Sequence, residues 1–281
     1  MNNYSLKNKK NKMKQTIFIT GASTGLGKVT AILFAQNGWN VIATMRKPED
    51  GADLVQQGIT VLALDVTNPE QIKEVVQKAT DMGGVDVVFN NAGYGLAGPL
   101  EGVSDEQMVR QIDTNLLGVI RVTQAFIPHF RAKKKGLFIT TTSIGGLVTF
   151  PFNSLYHATK WALEGWSESM AYELAQFGIG IKTVSPGGIH TDFISRSLVL
   201  APHEAYNDAM QKVMNAFTNP ERRESYSTAE QIAQVVYEAA TDGKKQLRYV
   251  AGEDAKAYYA QRLAAGDEAF RQSISDYFFS N

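Results

Sequence analysis

From Gln15 onward the sequence alternates short runs that are apolar at both odd and even positions with longer stretches of helical periodicity. A strand of that kind has no solvent face. It must be buried on both sides, which specifies a parallel sheet covered by helices above and below. Seven runs fit: Thr16–Thr20, Val41–Met45, Val61–Leu64, Val85–Asn90, Leu137–Thr141, Ile181–Ser185 and Leu247–Val250. Between them the first helix runs to about Asn37, and another opens at Asn68 with Pro69 in its first position. Ser104 and Gln107 are spaced as a capping box for a helix reaching about Phe130. Leu155–Phe177 is helical, and Ser227 with Glu230 reads as a second capping box for a helix to about Thr241. No linker or repeat interrupts the pattern. The expectation is one α/β domain over residues 15–281, Rossmann-type and doubly wound, with a mostly parallel seven-stranded sheet. Residues 190–226 carry neither period and are too long for a routine connection, so they are expected to form a substrate lid or partner loop.

Composition narrows the chemistry. A chain of 281 residues buries a full core without staples. The absence of cysteine removes disulfides, thiolate metal sites and thiol nucleophiles together. No window of about 18 apolar residues exists for a membrane span. The 28 basic and 28 acidic residues cancel, which argues against a nucleic-acid binder. The zero is uneven: Lys7, Lys9, Lys10, Lys12 and Lys14 stand in the first 14 residues without an acid among them. That segment lacks the apolar core of a signal peptide. It reads as a disordered, solvated basic leader, either part of the protein or a translation-start artefact with Met13 as the true start; a basic targeting or docking arm is the other reading.

Two spacings carry chemistry. Thr20-Gly21-Ala22-Ser23-Thr24-Gly25-Leu26-Gly27 follows the first strand and opens a helix. Glycines there let a pyrophosphate approach the backbone, and the helix end adds free N–H groups and a positive dipole; a glycine turn used only for packing is the plainer alternative. About 20 residues on, where an acid would take a ribose 2′-hydroxyl, the chain has Met45 and Arg46. An arginine can fork onto a 2′-phosphate, which selects NADP(H), unless Arg46 is merely solvated beside Glu49 or Asp50. Tyr156 and Lys160 lie four apart on a helix and share a face. A nearby ammonium draws a phenol's pKa down toward neutrality, making it a usable acid or base. The histidines, His129, His157, His190 and His203, form no metal-binding pair. His157 points away from Tyr156 and is expected to be structural, whereas His190 is a candidate for the substrate face. Ser143 is not in a nucleophile elbow, which sets a hydrolase aside.

With its T-G-x-x-x-G-x-G and Y-x-x-x-K motifs, the chain resembles the single-domain branch of the short-chain dehydrogenase/reductase family from about Gln15 to Thr191. The resemblance implies cofactor contacts from Gly21, Ser23, Thr24, Gly25, Leu26 and Gly27; from Asp65 and Val66 at the adenine; from Asn91, Ala92 and Gly93 at the ribose; and from Pro186, Gly187, Ile189 and Thr191 at the nicotinamide. It implies a catalytic set of Asn115, Ser143, Tyr156 and Lys160. Ser143 and Tyr156 meet the substrate oxygen, Lys160 holds the nicotinamide ribose, and Asn115 holds a water. The implied activity is NADP(H)-dependent interconversion of a carbonyl and an alcohol by hydride transfer. The rival readings are a non-catalytic NADP-binding regulator or sensor and, against the glycine spacing, an epimerase or dehydratase.

Tyr94, Leu96, Gly145, Phe150, Phe152, Gly187, Phe193 and Leu198 are the candidate substrate walls. They are apolar and lack a basic cluster, which favours a neutral, largely apolar substrate. The stretch Asn90–Glu101 resembles members near the hydroxysteroid and retinol dehydrogenases. The family further implies a cytoplasmic homodimer or homotetramer, with Trp161 and Trp166 as interface anchors or as core. The terminal Tyr277-Phe278-Phe279 is expected to cover a neighbouring subunit's site or to dock on its own core.

Overall fold

The first strand, β1 (Thr16–Thr20), is buried at every position, and its side chains divide between two cores. Ile17 and Ile19 enter one; Phe18 enters the other. The same division recurs along the chain, and it is what a strand apolar on both faces requires. After β1 come α1 (Gly25–Gln36), β2 (Asn40–Met45), α2 (Ala52–Gln56), β3 (Thr60–Ala63), α3 (Pro69–Asp81), β4 (Val87–Asn90) and a short β5 (Gly95–Ala97). Next are α4 (Asp105–Ile112), a π-turn (Asp113–Leu117), α5 (Gly118–Lys133), β6 (Gly136–Thr141), α6 (Ser154–Ala175), β7 (Ile179–Pro186) and β8 (Ile189–His190). The remainder is β9 (Leu198–Leu200), α7 (Asn207–Thr218), α8 (Pro220–Glu224), β10 (Ser227–Thr228), α9 (Ala229–Thr241), β11 (Arg248–Ala251), α10 (Glu253–Ala265) and α11 (Asp267–Phe279). This computed structural model describes residues 14–190 and 197–280.

Seven strands form one sheet in the order β11-β7-β6-β4-β1-β2-β3, and every ladder is parallel. The chain works outward from β1 through β2 to β3, then returns to place β4 on the other side of β1. That reversal leaves a crevice beyond the carboxyl ends of β1 and β4, the usual place for a ligand in such a sheet. Helices α1 and α9 pack on one face; α3, α5 and α6 pack on the other. Phe126, Phe130 and Phe138 are fully buried on the second face. Rings such as these stabilise the fold by roughly 1.5–3 kcal/mol each relative to exposure. A third cluster lies beyond the sheet, where α7, α10 and α11 meet Ile144, Leu147 and Val148.

The structure departs from the sequence reading at several points. The helix expected from Ser104 to Phe130 begins with the expected capping box but is interrupted by the π-turn. The second capping box is Thr228 with Gln231, not Ser227 with Glu230. Ser227 is instead buried in a short parallel ladder with Ile189. The fourth strand starts at Val87, because Asp86 turns aside to accept from the Thr16 N–H (2.9 Å) and Lys133 Nζ (2.9 Å). The stretch expected to be irregular contains β9, α7 and α8, and the chain ends in two helices, α10 and α11, that the pattern did not give. Lys7, Lys9, Lys10, Lys12, Thr191 and Phe193 lie outside the described residues. Among the described residues no helix is long and apolar enough to cross a membrane.

Candidate active site

The glycine turn after β1 is clamped to the turn after β4. Thr20 Oγ1 accepts from the N–H groups of Asn91 and Ala92, both at 3.0 Å. The Asn91 amide donates back to the carbonyls of Thr20 (3.2 Å) and Gly21 (3.0 Å). Gly21 has φ 67°, and a Cβ on it would stand 2.7 Å from Ala92 Cα. A Cβ on Gly27 would strike the Gly21 carbonyl oxygen and the Asn91 amide. Both positions therefore exclude side chains. Helix α1 then opens without a side-chain cap from Thr24 and without an acid in its first turn. Its first N–H groups and the positive end of its dipole are left for an anion. Clearance, free donors and dipole together fit the pyrophosphate of a dinucleotide.

Arg46 is exposed at the end of β2, and among the described residues neither Glu49 nor Asp50 pairs with it. The nearby ion pair is Lys28 with Asp53, at 2.8 Å. Asp65 accepts from the backbone N–H (2.9 Å) and hydroxyl (2.7 Å) of Thr67, which fixes the turn after β3. Val66 is buried against Gly118 at the start of α5. Ser23, Gly25 and Leu26 sit in the same uncapped turn. Gly93 lies beside Asn115 and Lys160: a Cβ there would be 3.2 Å from Asn115 Oδ1 and 3.9 Å from Lys160 Nζ.

Ser143 stands just beyond β6, and its Oγ accepts from the Gly145 N–H at 3.0 Å. Tyr156 and Lys160 come from α6. The Lys160 ammonium donates to the Thr141 carbonyl (2.9 Å) and lies 5.7 Å from the Tyr156 ring centre. Burial pushes the Tyr156 phenol up, while its hydrogen bond with Ser143 pulls the other way. The phenol is thus held in its acid form. Burial also pushes Lys160 down to about 8, with the Glu164 carboxylate acting in the opposite sense. Burial outweighs the other influences on the phenol, and Lys160 Nζ is turned to the Thr141 carbonyl. Asn115 sits in the π-turn, buried, with both amide atoms engaged: Oδ1 accepts the Tyr94 N–H (3.0 Å) and Nδ2 donates to the Tyr94 carbonyl (2.8 Å). A water near Asn115 would therefore be held by main-chain groups, which a π-turn supplies by breaking the regular ladder.

His157 lies behind this set as a clasp. It accepts from the Phe150 N–H at Nε2 (3.1 Å), so Nδ1 carries the proton and donates to the Gly145 carbonyl (2.6 Å). Burial pushes this imidazole down, keeping it neutral. Asp254, on α10, was not singled out from the sequence. Its Oδ2 accepts from the Gly188 N–H at 2.7 Å, and a side chain at Gly187 would strike it. Pro186 ends β7 opposite Ala251, and Ile189 pairs with Ser227. The segment expected to face a nicotinamide is thus anchored from three sides. No local signal marks Asp254, since it acts 66 residues away from its partner.

The substrate side is sewn together differently. Leu96 is buried in β5, which pairs with β9 so that Gly95 faces Leu198. The Gly98 N–H donates to the Phe152 carbonyl at 2.7 Å. Tyr94 is half-buried under the Arg110 guanidinium, 5.6 Å from its ring centre. Phe150, expected at the substrate, instead joins the rings of Phe217, Tyr258 and Phe278 at 5.3–6.3 Å. The Arg222 guanidinium sits among these rings and Tyr277, 4.4–5.7 Å from their centres. Phe278 is therefore docked on its own chain, while Tyr277 and Phe279 stay exposed. His190 is exposed beside Tyr226; Trp161 is exposed and Trp166 half-buried. Among the described residues no cluster of His, Asp and Glu is arranged for a metal ion.

Comparisons with known proteins agree with the fold. A family model described as short chain dehydrogenase matches residues 15–198. The oxidoreductase BOA17 of Botryotinia fuckeliana is 35% identical over 271 residues, covering 92% of this chain and 98% of the relative. Human 17-beta-hydroxysteroid dehydrogenase type 1 is 32% identical over 260 residues, covering 84% and 77%. The solved structure of ElxO with NADP bound superposes with a TM-score of 0.72 at 27% identity, covering 89% of this chain and 100% of that one.

Proposed function

We propose, from the premise that this chain belongs to the short chain dehydrogenase family and is an oxidoreductase, that it uses NADP(H) to interconvert a carbonyl and an alcohol on a neutral, largely apolar substrate. The convergence of Ser143, Tyr156 and Lys160 beside the uncapped glycine turn carries the reading. The nicotinamide cofactor, when bound, supplies or accepts the hydride. Ser143 holds the substrate oxygen by its hydroxyl and polarises the carbonyl. Tyr156, buried and kept protonated, gives its phenolic proton to that oxygen in the reductive direction. Lys160 holds a cationic donor at the ribose side of the phenol. Asp254 and the β8–β10 ladder keep the Pro186–Gly188 backbone in place. The same residues run in reverse for alcohol oxidation.

Arg46 supports the choice of NADP(H) over NAD(H): it is exposed at the end of β2, has no acidic partner among the described residues and can fork onto a 2′-phosphate. Leu96, Leu198 and Phe152 support an apolar substrate, as does the relative named for a hydroxysteroid. Val109, Ile112, Leu117, Trp161 and Tyr172 leave apolar surface on α4, the π-turn and α6, which suits pairing with a second copy. The deciding experiment follows the absorbance of reduced nicotinamide with NADPH and a panel of ketones, aldehydes and steroids, in both redox directions. Turnover of apolar carbonyls supports the reading. Tight NADPH binding with no turnover across the panel overturns it in favour of a cofactor-binding regulator.

A further inference from the structure

Three consecutive residues at the end of β6 each grip a different turn of α6. The Ser143 hydroxyl meets the Tyr156 phenol. The Thr141 carbonyl accepts from Lys160 Nζ at 2.9 Å. Thr142 Oγ1 donates to Glu164 Oε1 at 2.6 Å. Tyr156, Lys160 and Glu164 are spaced by four, so they stack along one helix face. The strand and helix approach this closely because Gly146 has no side chain; a Cβ there would lie 2.8 Å from the Lys160 carbonyl oxygen and 3.2 Å from Glu164 Cγ.

Glu164 is the rung that the proposed mechanism leaves unused, and it is the most heavily bonded. Only 4% exposed, it also accepts from Ser185 Oγ (2.8 Å) and Thr183 Oγ1 (3.2 Å) on β7, and from Arg248 Nε (2.8 Å) on β11. Donors from β7, β11 and the end of β6 thus converge on one carboxylate. A carboxylate out of water is tolerated only when it is paired and hydrogen-bonded throughout. Turning or sliding α6 on the sheet would strip those bonds together. The charged and titratable groups around it are Lys160 and Glu168 on its own helix, Arg248 on β11, and Tyr259 on α10 near Arg248.

We propose that Glu164, with Arg248 as its counter-ion, is a positioning residue for the reaction: it locks the phase of α6 on the sheet and supplies the negative charge that keeps Lys160 an ammonium. The reaction part rests on the function proposed above; the effect on Lys160 does not. The direction of that effect agrees with burial lowering Lys160 to about 8 against the pull of Glu164.

Glu164→Gln keeps the side chain's size and removes its charge. Lys160 then loses its proton at lower pH, so the alkaline limb of kcat/KM moves down by about one pH unit. Activity falls roughly tenfold near pH 8 and recovers near pH 6. Thr142→Val keeps the charge but removes one rung: kcat falls about fivefold, with the limb in place. Nitrogen-15 lysine NMR titration, assigned with Lys160→Met, reads the same downward shift in Glu164→Gln without any turnover. Lys160 titrating at an unchanged pH in Glu164→Gln overturns the proposal, as does full kcat in Thr142→Val. If Glu164→Gln does not fold, Thr142→Val decides alone. Failure of the unaltered protein to reduce any carbonyl sinks the proposed function, while the NMR titration still judges Glu164.

Discussion

Lys160 and Arg222 are both withdrawn cations, and they are held in opposite ways. Lys160 gives a directed hydrogen bond to the Thr141 carbonyl. Arg222 has Nε and Nη1 buried with no acceptor among the described residues and is faced by five aromatic rings instead. The contrast extends to the regions around them. The strand-end side is fixed by short polar bonds to backbone: Thr20 to Asn91 and Ala92, Asn115 to Tyr94, His157 to Gly145. The cap built from α7, α8, α10 and α11 is held by ring contacts and by Phe278 near the chain's end. Hydrogen bonds are directional and fix atoms, whereas ring packing is broad in angle and tolerates sliding. On the proposed function, the side that would hold reacting atoms uses direction, and the side that would cover an apolar substrate uses area.

That contrast can be broken by substitution. Tyr156→Phe removes the proposed proton donor without disturbing the cap. Turnover is expected to fall more than about 10³-fold while NADPH still binds, as steady-state rates and cofactor titration will show. Phe278→Ala opens the ring cluster and is expected to cost about 3 kcal/mol in denaturant unfolding. Cofactor affinity should survive it; loss of both together would mean that the two sides are one unit. Arg222→Met replaces the caged cation by a flexible thioether and is expected to lower stability by about 2 kcal/mol, since desolvated cation–ring contacts reach that size. An increase in stability would show the rings prefer an apolar filling. Arg46→Asp acts wholly on the strand-end side. NADPH should bind the unaltered protein at least about tenfold tighter than NADH, a gap worth roughly 1.4 kcal/mol, and the substitution should shrink it with substrate KM unmoved.

The strand-end side was the more legible in sequence for the same reason that it is rigid. Its constraints are local: a strand buried on both faces, a glycine where no Cβ fits, a tyrosine and lysine one helical turn apart. The cap depends on contacts between distant segments. Nothing near Asp254 announces that it serves Gly188, and nothing near Phe150 says that its ring turns into a cluster with Phe217, Tyr258 and Phe278. Ser227 and Thr228 both suit a helix cap, and only the pairing of Ser227 with Ile189 decides between them. Glu164 reads as an ordinary helical acid until β7 and β11 bring it their donors. The π-turn escaped notice because the apolar period is intact on either side of it.

That turn also makes chain length part of the design. It accommodates one residue more than an unbroken helix would. A deletion there would regularise the helix and leave the turns beyond it in phase, but it would close the break in the backbone ladder at Asn115. Val122, Phe126 and Phe130 would keep their places in the core, and Asn115 would lose its grip on Tyr94. An insertion at the Gly243 turn, where an added Cβ meets open space, carries no such loss. Descendants of this sequence are thus free to change length at Gly243, while between Asp113 and Leu117 the number of residues is as constrained as their identity.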